Sequence, residues 1–212
     1  MKVSIQAKKF IFISLLCLVA LASVSSVGLA DDSGGVFLTE GLMGYSLSFS
    51  NAALGAPQQR TFGSSETSLG YVFSNWLYFG GVINYTIVNQ KNTDGFNNPY
   101  NHQETYQYYG PALGYIGENW FLIGHYYAAA EKRDTVTGNF PQQNYDYTGT
   151  GFGINLGYKF PIWGFEMAPV LAYKNINYTN CKDPNTGATS TCNPTQNQTE
   201  TTPYITFLFA FK

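Results

Sequence analysis

One short pattern recurs three times along this 212-residue chain and constrains its fold more than any other feature. In each copy the tripeptide Leu-Gly-Tyr is followed, after four further residues, by tryptophan, and the copies lie at 69–76, 113–120 and 156–163. The residues between tyrosine and tryptophan include turn formers such as Asn75 and Pro161. Each copy therefore predicts the end of one strand, a tight turn and the start of the next strand.

Between these copies, and before the first and after the last, lie longer stretches rich in Asn, Gln, Thr, Gly and Pro, a composition that predicts loops. Short turns that alternate with long loops are typical of a transmembrane β-barrel, with the turns in the periplasm and the loops outside the cell. A β-sandwich has no physical reason to place every long connection at one end. The polar stretches occupy residues 51–62, 89–103, 132–144 and 178–199.

The sequence thus predicts an all-β fold, an eight-stranded antiparallel up-and-down transmembrane β-barrel with short periplasmic turns and four longer extracellular loops. The even number of strands places both termini in the periplasm. Most of the predicted strands reach the ~9–11 residues that a tilted spanning strand needs. They lie near 35–50, 63–74, 76–88, 104–116, 120–131, 145–160, 164–177 and 200–212.

The composition separates this chain from ordinary soluble domains. Charged residues make up 11% of the chain and aromatic residues 17%, whereas soluble domains carry about 25% charged residues. Few charges, many aromatic residues and the lack of a long apolar segment after residue 30 favour an outer-membrane barrel over a secreted β-sandwich. The formal net charge of −2 argues against nucleic acid as a partner.

The first thirty residues have the order of a secretory signal peptide. Lysines precede an apolar run at 10–22, and the small-residue pattern at 28–30 predicts cleavage before Asp31. The run is shorter than the ~20 residues of a spanning helix, which disfavours a membrane anchor. We therefore expect residues 1–30 to be removed and residues 31–212 to form one barrel domain in the bacterial outer membrane.

Alternation along the strands predicts which side chains face lipid and which face the lumen. In each copy of the repeat, leucine and tyrosine fall on the lipid face and glycine falls inside. Ile154 is expected to face lipid and its neighbour Asn155 the lumen, whereas Phe37 lies on the face opposite to an inward Glu40.

In the segment 120–131 both faces carry aromatic residues, and we turn the face of His125 and Glu131 inward because it carries the charges. An eight-stranded lumen is just wide enough for side chains, so inward charges should pair with one another. We interpret them as a structural polar plug; a proton- or solute-conducting path is the alternative. The predicted lumen residues are Glu40, Glu66, His125, Lys159, Glu166 and Lys174.

Aromatic residues at the turns predict a periplasmic girdle, where amphipathic rings are stable. Its predicted members are Tyr71, Trp76, Tyr115, Trp120, Tyr158 and Trp163. The chain then ends on alternating aromatic residues, Phe207, Phe209 and Phe211, followed by Lys212.

In this ending, and in its strand pattern over 35–212, the chain resembles the eight-stranded outer-membrane barrels, the group of the OmpA membrane domain, OmpX and OmpW. The resemblance implies that Phe207, Phe209 and Phe211 form the signal that the barrel-assembly machinery reads. Lys212 departs from the pattern, because the family usually stops at the phenylalanine.

Cys181 and Cys192 both lie in the last polar stretch. Because export brings them into an oxidising compartment, we expect a disulfide between them. The turn-forming segment 183–187 would bring the two together. A metal pair is the alternative, but it lacks histidine or carboxylate partners at ligand spacing, and the sequence predicts neither a metal nor a cofactor.

The functional prediction rests on the loops. His102 could form a catalytic site with Ser190 and Asp94, but the sequence around these residues does not match a nucleophile motif. The segments 97–102 and 142–147 mix tyrosine with amides, as adaptable binding surfaces do.

We therefore expect a non-enzymatic structural or surface-interaction role, adhesin- or receptor-like, through the extracellular loops. A narrow channel for small, apolar solutes, as in OmpW-like relatives, is the alternative, and an outer-membrane lipid-modifying enzyme is a distant one. The expected partners are membrane lipid, lipopolysaccharide, the barrel-assembly machinery and an extracellular ligand or host surface.

Overall fold

The computed structural model describes residues 35–50, 57–73, 76–93, 99–138, 143–162, 165–182 and 187–211. The predicted signal segment 1–30, Asp94 and Trp163 lie outside the described residues. Throughout the described part of the chain, no helix combines the length and the apolar composition needed to cross a bilayer.

Nine strand segments form a single antiparallel sheet. They are β1 (Gly35–Ser50), β2 (Pro57–Phe73), β3 (Leu77–Thr93), β4 (Pro99–Ile116), β5 (Trp120–Thr137), β6 (Gln143–Tyr158), β7 (Phe160–Ile162), β8 (Phe165–Lys182) and β9 (Thr189–Phe211). β6 and β7 share one register on β8, since Gly157 lies opposite Val170 and Phe160 lies opposite Met167. They are two parts of one strand interrupted at Lys159, so the sheet has eight spanning strands.

The sheet closes on itself into a barrel. Each strand from β1 to β6 pairs with the next, β6 pairs with β8, β8 pairs with β9, and β9 returns to β1. This is the eight-stranded up-and-down barrel that the repeat predicts. Closure lets the wall satisfy its backbone hydrogen bonds internally, as a membrane-spanning β-structure requires.

The two ends of the barrel differ in how the strands are connected. We call the end with the connections around 74–76, 117–119 and 163–164 the turn end, and the opposite end the loop end. At the loop end the connections are 51–56, 94–98, 138–142 and 183–188.

Half or more of each polar stretch predicted as a loop is therefore strand. The bounds predicted for those loops were wrong because polarity was taken to mean loop. Tracts rich in threonine and tyrosine also suit a strand, and here they extend the hairpins past the apolar part of the wall as paired arms.

An apolar band surrounds the outer wall near the turn end, where large side chains such as Ile83 are exposed. In β6, Ile154 is 43% exposed and Asn155 is 4% exposed, which is the predicted alternation. Toward the loop end the outer wall becomes polar, with Gln107 and Glu131 exposed. The arms thus extend beyond the apolar band.

A β-bulge in β5 changes which side chains face the lumen along one strand. The register with β6 shifts between Tyr127 and Ala130. Before the bulge His125 and Tyr127 are buried, as predicted, but after it Lys132 faces inward and Glu131 is exposed on the outer wall. The prediction that Glu131 shares the face of His125 is wrong, because the extra residue of a bulge advances the alternation by one.

The alternation of β1 is opposite to the prediction. Phe37 is 4% exposed, and its ring packs edge-on to Tyr78 inside the lumen at a centroid distance of 6.0 Å. Val36 and Leu42 are exposed on the outer wall. Because side chains must fill the interior of an eight-stranded barrel, the face of Phe37 packs inside instead of on the outer wall.

Glu40 consequently lies on the outer wall, and its prediction as a lumen residue is wrong. It stands opposite Thr67 in the β1–β2 ladder. Ser65 Oγ donates to Glu40 Oε1 at 2.8 Å, and Thr67 Oγ1 donates to Glu40 Oε2 at 2.5 Å. A carboxyl group in an apolar environment is costly unless it is hydrogen-bonded. Glu40 was expected to pair with charges in the lumen, but these two hydroxyls stabilise it instead.

The contacts between β8, β9 and β1 are uneven. A disulfide between Cys181 and Cys192 joins β8 to β9 at the loop end, as predicted. Among the described residues β1 pairs with β9 from Val36 to Leu42, whereas it pairs with β2 along its whole length. Beyond this short seam β9 runs on through Pro203, which has no N–H to donate to a neighbouring strand.

The two faces of β6 can be tested with single cysteines at positions 154 and 155 in a Cys181→Ser, Cys192→Ser background. A lipid-soluble maleimide confined to the membrane should label Ile154→Cys and miss Asn155→Cys in folded protein, because neighbouring strand residues point to opposite faces. Mass spectrometry of the intact protein measures the labelling. Equal labelling of the two variants would contradict a spanning strand.

Candidate functional site in the barrel lumen

An apolar layer fills the lumen at the turn end. Every spanning strand except the β6–β7 strand contributes to one buried cluster, which contains Phe37, Val72, Tyr78, Ala112, Ile116, Phe121, Ile123, Ala168, Val170 and Leu208. At the same end, Lys159 Nζ lies 3.1 Å from Glu166 Oε2. These two predicted lumen charges therefore pair with each other.

Glu66 lies in the middle of the lumen, with 4% of its surface exposed. Lys174 Nζ lies 3.2 Å from its Oε2, and Asn84 Nδ2 donates to the same oxygen at 3.2 Å. Its Oε1 accepts a hydrogen bond from Tyr204 Oη at 2.9 Å and another from Asn155 Nδ2. A buried carboxylate needs an opposite charge and hydrogen-bond donors, and this network supplies both.

His125 lies beside the network. Its Nε2 is 3.9 Å from Glu66 Oε1, its side chain has no exposed surface, and its ring stacks on Tyr127 at a centroid distance of 6.0 Å. Within the described part of the chain neither ring nitrogen has a hydrogen-bond partner. Because Lys174 already balances the charge of Glu66, the layer is neutral when His125 is neutral.

Tyrosines fill the lumen between this network and the loop end. Tyr106, Tyr108, Tyr127 and Tyr178 are buried in one cluster. Tyr108 Oη lies 3.1 Å from Tyr178 Oη, and Tyr178 Oη donates to Gln198 Oε1 at 3.2 Å. The described lumen is thus filled by an apolar layer, a charged layer and an aromatic layer in succession.

Four ionisable side chains lie at the loop-end mouth of the lumen, on the paired strands β4 and β5. His102 Nε2 lies 2.6 Å from Asp134 Oδ1. Lys132 Nζ lies 2.9 Å from Glu104 Oε1 and 3.8 Å from Asp134 Oδ2. We call these four residues the mouth cluster; its side chains are partly exposed, so water reaches them.

Aromatic rings also hold the lysine of the mouth cluster. Lys132 Nζ lies 5.6 Å from the centroid of the Tyr106 ring and 5.4 Å from that of Tyr147, distances at which a cation is attracted to an aromatic face. Burial alone would raise the pKa of Glu104, but the hydrogen bond and the charge of Lys132 outweigh it, so this pKa lies below its ordinary value.

The structure brings together three of the predicted lumen residues, Glu66, His125 and Lys174. Sequence reasoning missed Asn84 and Tyr204, which complete their network. The alternation along their strands could have indicated them, because both occupy lumen-facing positions.

Sequence reasoning also missed three members of the mouth cluster. It named His102 but sought its partner in Ser190, which lies on β9 opposite Cys181. The partner is Asp134 on β5, within a stretch that was predicted to be a loop. Because the segment is a strand, Asp134 is fixed directly opposite Glu104 and beside His102.

Aromatic rings line the turn end of the outer wall. Tyr115 packs between Trp76 and Trp120, at centroid distances of 6.1 Å and 4.8 Å. Tyr71 and Tyr158 are exposed on the wall at the same end. Among the predicted girdle residues that the structure describes, all five therefore lie at the turn end.

The predicted assembly segment lies on the outer wall of β9. Phe207 and Phe209 both pack against Phe165, each at a centroid distance of 5.9 Å. The side chain of Phe211 lies outside the described part of the chain. Its backbone pairs with Val36 at the end of β1.

Comparison with known proteins finds similar solved structures. No family model and no curated protein matches it. It is similar in structure to Ail, the attachment invasion locus protein of Yersinia pestis, solved in complex with the heparin analogue sucrose octasulfate, with 13% identity, coverage of 84% of this chain and 99% of that chain, and a TM-score of 0.44. It is also similar to the outer membrane protease OmpT of Escherichia coli, with 10% identity, coverage of 88% and 99%, and a TM-score of 0.40. Both are small outer-membrane β-barrel proteins.

The energetic weight of the central network can be tested with Glu66→Gln. Removing the carboxylate leaves Lys174 buried without its counter-charge, so we expect a loss of about 3–5 kcal/mol in the free energy of unfolding. Adding Lys174→Met should recover part of the lost free energy of unfolding. Denaturant unfolding of the refolded barrel, followed by tryptophan fluorescence, measures both.

Arg133→Ala is the matched control, because Arg133 pairs with Asp146 on the outer wall and its side chain is 67% exposed. It should cost no more than about 1 kcal/mol. If the double variant were as unstable as the sum of its two single variants, Glu66 and Lys174 would not be coupled.

Proposed function

We propose that the protein is an integral barrel of the bacterial outer membrane and acts as a non-enzymatic surface-interaction protein. In this proposal the lumen is a structural plug that keeps the wall rigid, and the arms at the loop end carry the contacts with the outside. The observation that carries the proposal is the filling of the described lumen by three successive layers of side chains.

This packing argues against the alternative of a narrow channel. A solute would have to displace the apolar layer around Phe121 and Val170, then the charged network of Glu66, and then the tyrosines around Tyr108. Breaking the buried pair alone costs several kcal/mol. The lumen charges therefore serve the stability of the wall better than they would serve conduction.

The proposed orientation is supported by the predicted signal segment and by the difference between the two ends of the barrel. With the turn end in the periplasm, the aromatic rings around Tyr115 lie where the outer membrane meets the water of the periplasm, a position in which such rings are stable. The final strand then ends in the periplasm, where the assembly machinery acts. The loop end lies outside the cell and contacts lipopolysaccharide and an extracellular ligand.

The outer wall of the arms offers a surface for such contacts. A groove of about 630 Å³ lies there, above the apolar band, and Gln103, Thr105, Gln107, Glu131 and Arg133 are among its lining residues. Paired strands form it, so its amides and charges are held on a rigid frame. A preformed polar surface loses less conformational entropy on binding than a flexible loop does.

The plug can be tested by recording purified barrel in planar bilayers. We expect no stable conductance steps, because the three layers of described side chains fill the lumen; a large porin in the same bilayers is the positive control. Reproducible single-channel steps that disappear with Glu66→Gln would favour the channel instead.

The surface role can be tested by the retention of cells that display the barrel on surfaces coated with extracellular matrix. We expect the wild type to exceed a Gln103→Ala, Gln107→Ala variant at least about threefold, because these amides are part of the rigid groove. Cells that display Gln59→Ala, altered on another strand, serve as the control. Retention equal to that of cells without the protein would contradict an adhesive role.

A further inference from the structure

The mouth cluster places two carboxylates side by side with a single lysine beside them. Glu104 and Asp134 are directly opposite each other in the β4–β5 ladder, and both side chains point into the mouth. Like charges in directly opposite strand positions destabilise a sheet. Lys132 supplies one positive charge for two carboxylates, and one negative charge remains when His102 is neutral.

The same residues present a ligand set. One imidazole nitrogen of His102, one oxygen of Glu104 and one oxygen of Asp134 all lie within 4.8 Å of one another. Imidazole with carboxylate oxygens is a donor set suited to zinc and related divalent transition metals, whereas Mg²⁺ and Ca²⁺ prefer oxygen ligands alone. Three protein ligands and an open side toward water also describe a site that can take a fourth ligand.

We propose that the mouth cluster is a binding site for a divalent transition metal of the zinc class, held by His102, Glu104 and Asp134. Bonds of about 2.0–2.2 Å to zinc require the three donor atoms to draw closer together. Rotation of three partly exposed side chains allows this, while the paired backbone of β4 and β5 keeps their origins fixed.

Lys132 is the residue that gives way. Its ammonium now occupies the position of a cation beside Glu104, and a metal in the site repels it. The rings of Tyr106 and Tyr147, which already lie 5.6 Å and 5.4 Å from its Nζ, hold the displaced ammonium by cation–π attraction. Lys132 therefore acts as a resident counter-cation that lowers the affinity for the metal and keeps the site paired when no metal is bound.

The site lies on the side of the barrel that the proposed orientation exposes to the medium. Zinc can therefore reach it without crossing the membrane. Metal binding does not depend on that orientation, however. Titration of the purified protein therefore tests the metal site independently of the proposed orientation.

The test is calorimetric titration of Zn²⁺ into metal-free barrel that is folded in detergent and carries no polyhistidine tag. We expect one Zn²⁺ per chain. His102→Asn should weaken binding at least about tenfold because it removes the nitrogen ligand, and Lys132→Met should tighten it at least about tenfold because it removes the competing cation. Gln90→Asn is the matched control, since Gln90 is the β3 partner of His102, and it should bind as the wild type does.

A Co²⁺ titration gives a second readout, because tetrahedral Co²⁺ with this donor set absorbs in the visible. Heat modifiability on gels confirms that each variant is folded. The proposal fails if neither wild type nor Lys132→Met binds stoichiometric Zn²⁺, or if His102→Asn binds it unchanged. A spectrum that persists in His102→Asn would likewise overturn the ligand set.

Discussion

The Glu66 carboxylate is contacted by side chains from five other strands, and the rest of the barrel is arranged around it. Asn84, His125, Asn155, Lys174 and Tyr204 converge on it from β3, β5, β6, β8 and β9. A carboxylate in this position would be strongly destabilising without these partners. The network therefore fixes how strands that are far apart in sequence face one another across the lumen.

The layers on either side keep the network dry. The apolar cluster lies toward the turn end, and the tyrosine cluster lies toward the loop end. Electrostatic interactions strengthen when water is excluded, so the pairing of Glu66 with Lys174 depends on this packing. Small residues make room for it: a side chain at Gly41 would overlap the ring of Tyr204.

The architecture could be predicted from sequence because the repeat marks each turn and because alternation is clear where one face is rich in glycine. In β6, glycines and Asn155 alternate with Phe152, Ile154 and Leu156, and the structure follows that pattern. In β1 the prediction failed, since a narrow lumen takes in apolar residues such as Phe37 as readily as lipid does. The bulge in β5 places Glu131 on the face opposite to the predicted one. No residue type predicts such a bulge from sequence.

The candidate site was predictable in part. Glu66, His125 and Lys174 are rare charged or titratable residues at lumen positions, so composition and alternation suffice to find them. The mouth cluster depends on something that a single sequence does not display, namely that β4 and β5 continue beyond the apolar band in a register that pairs Glu104 with Asp134.

The short seam between β1 and β9 sets an order of events for assembly. Its partners, 36–42 and 205–211, come from opposite ends of the chain, so closing it costs the most loop entropy of any strand pair and comes last. The edge of β9 that closes the ring includes Phe207 and Phe209. An assembly factor that holds β9 by this edge must release it before β1 can pair there. Closure of the barrel and release from the factor are therefore a single exchange of partners on β9.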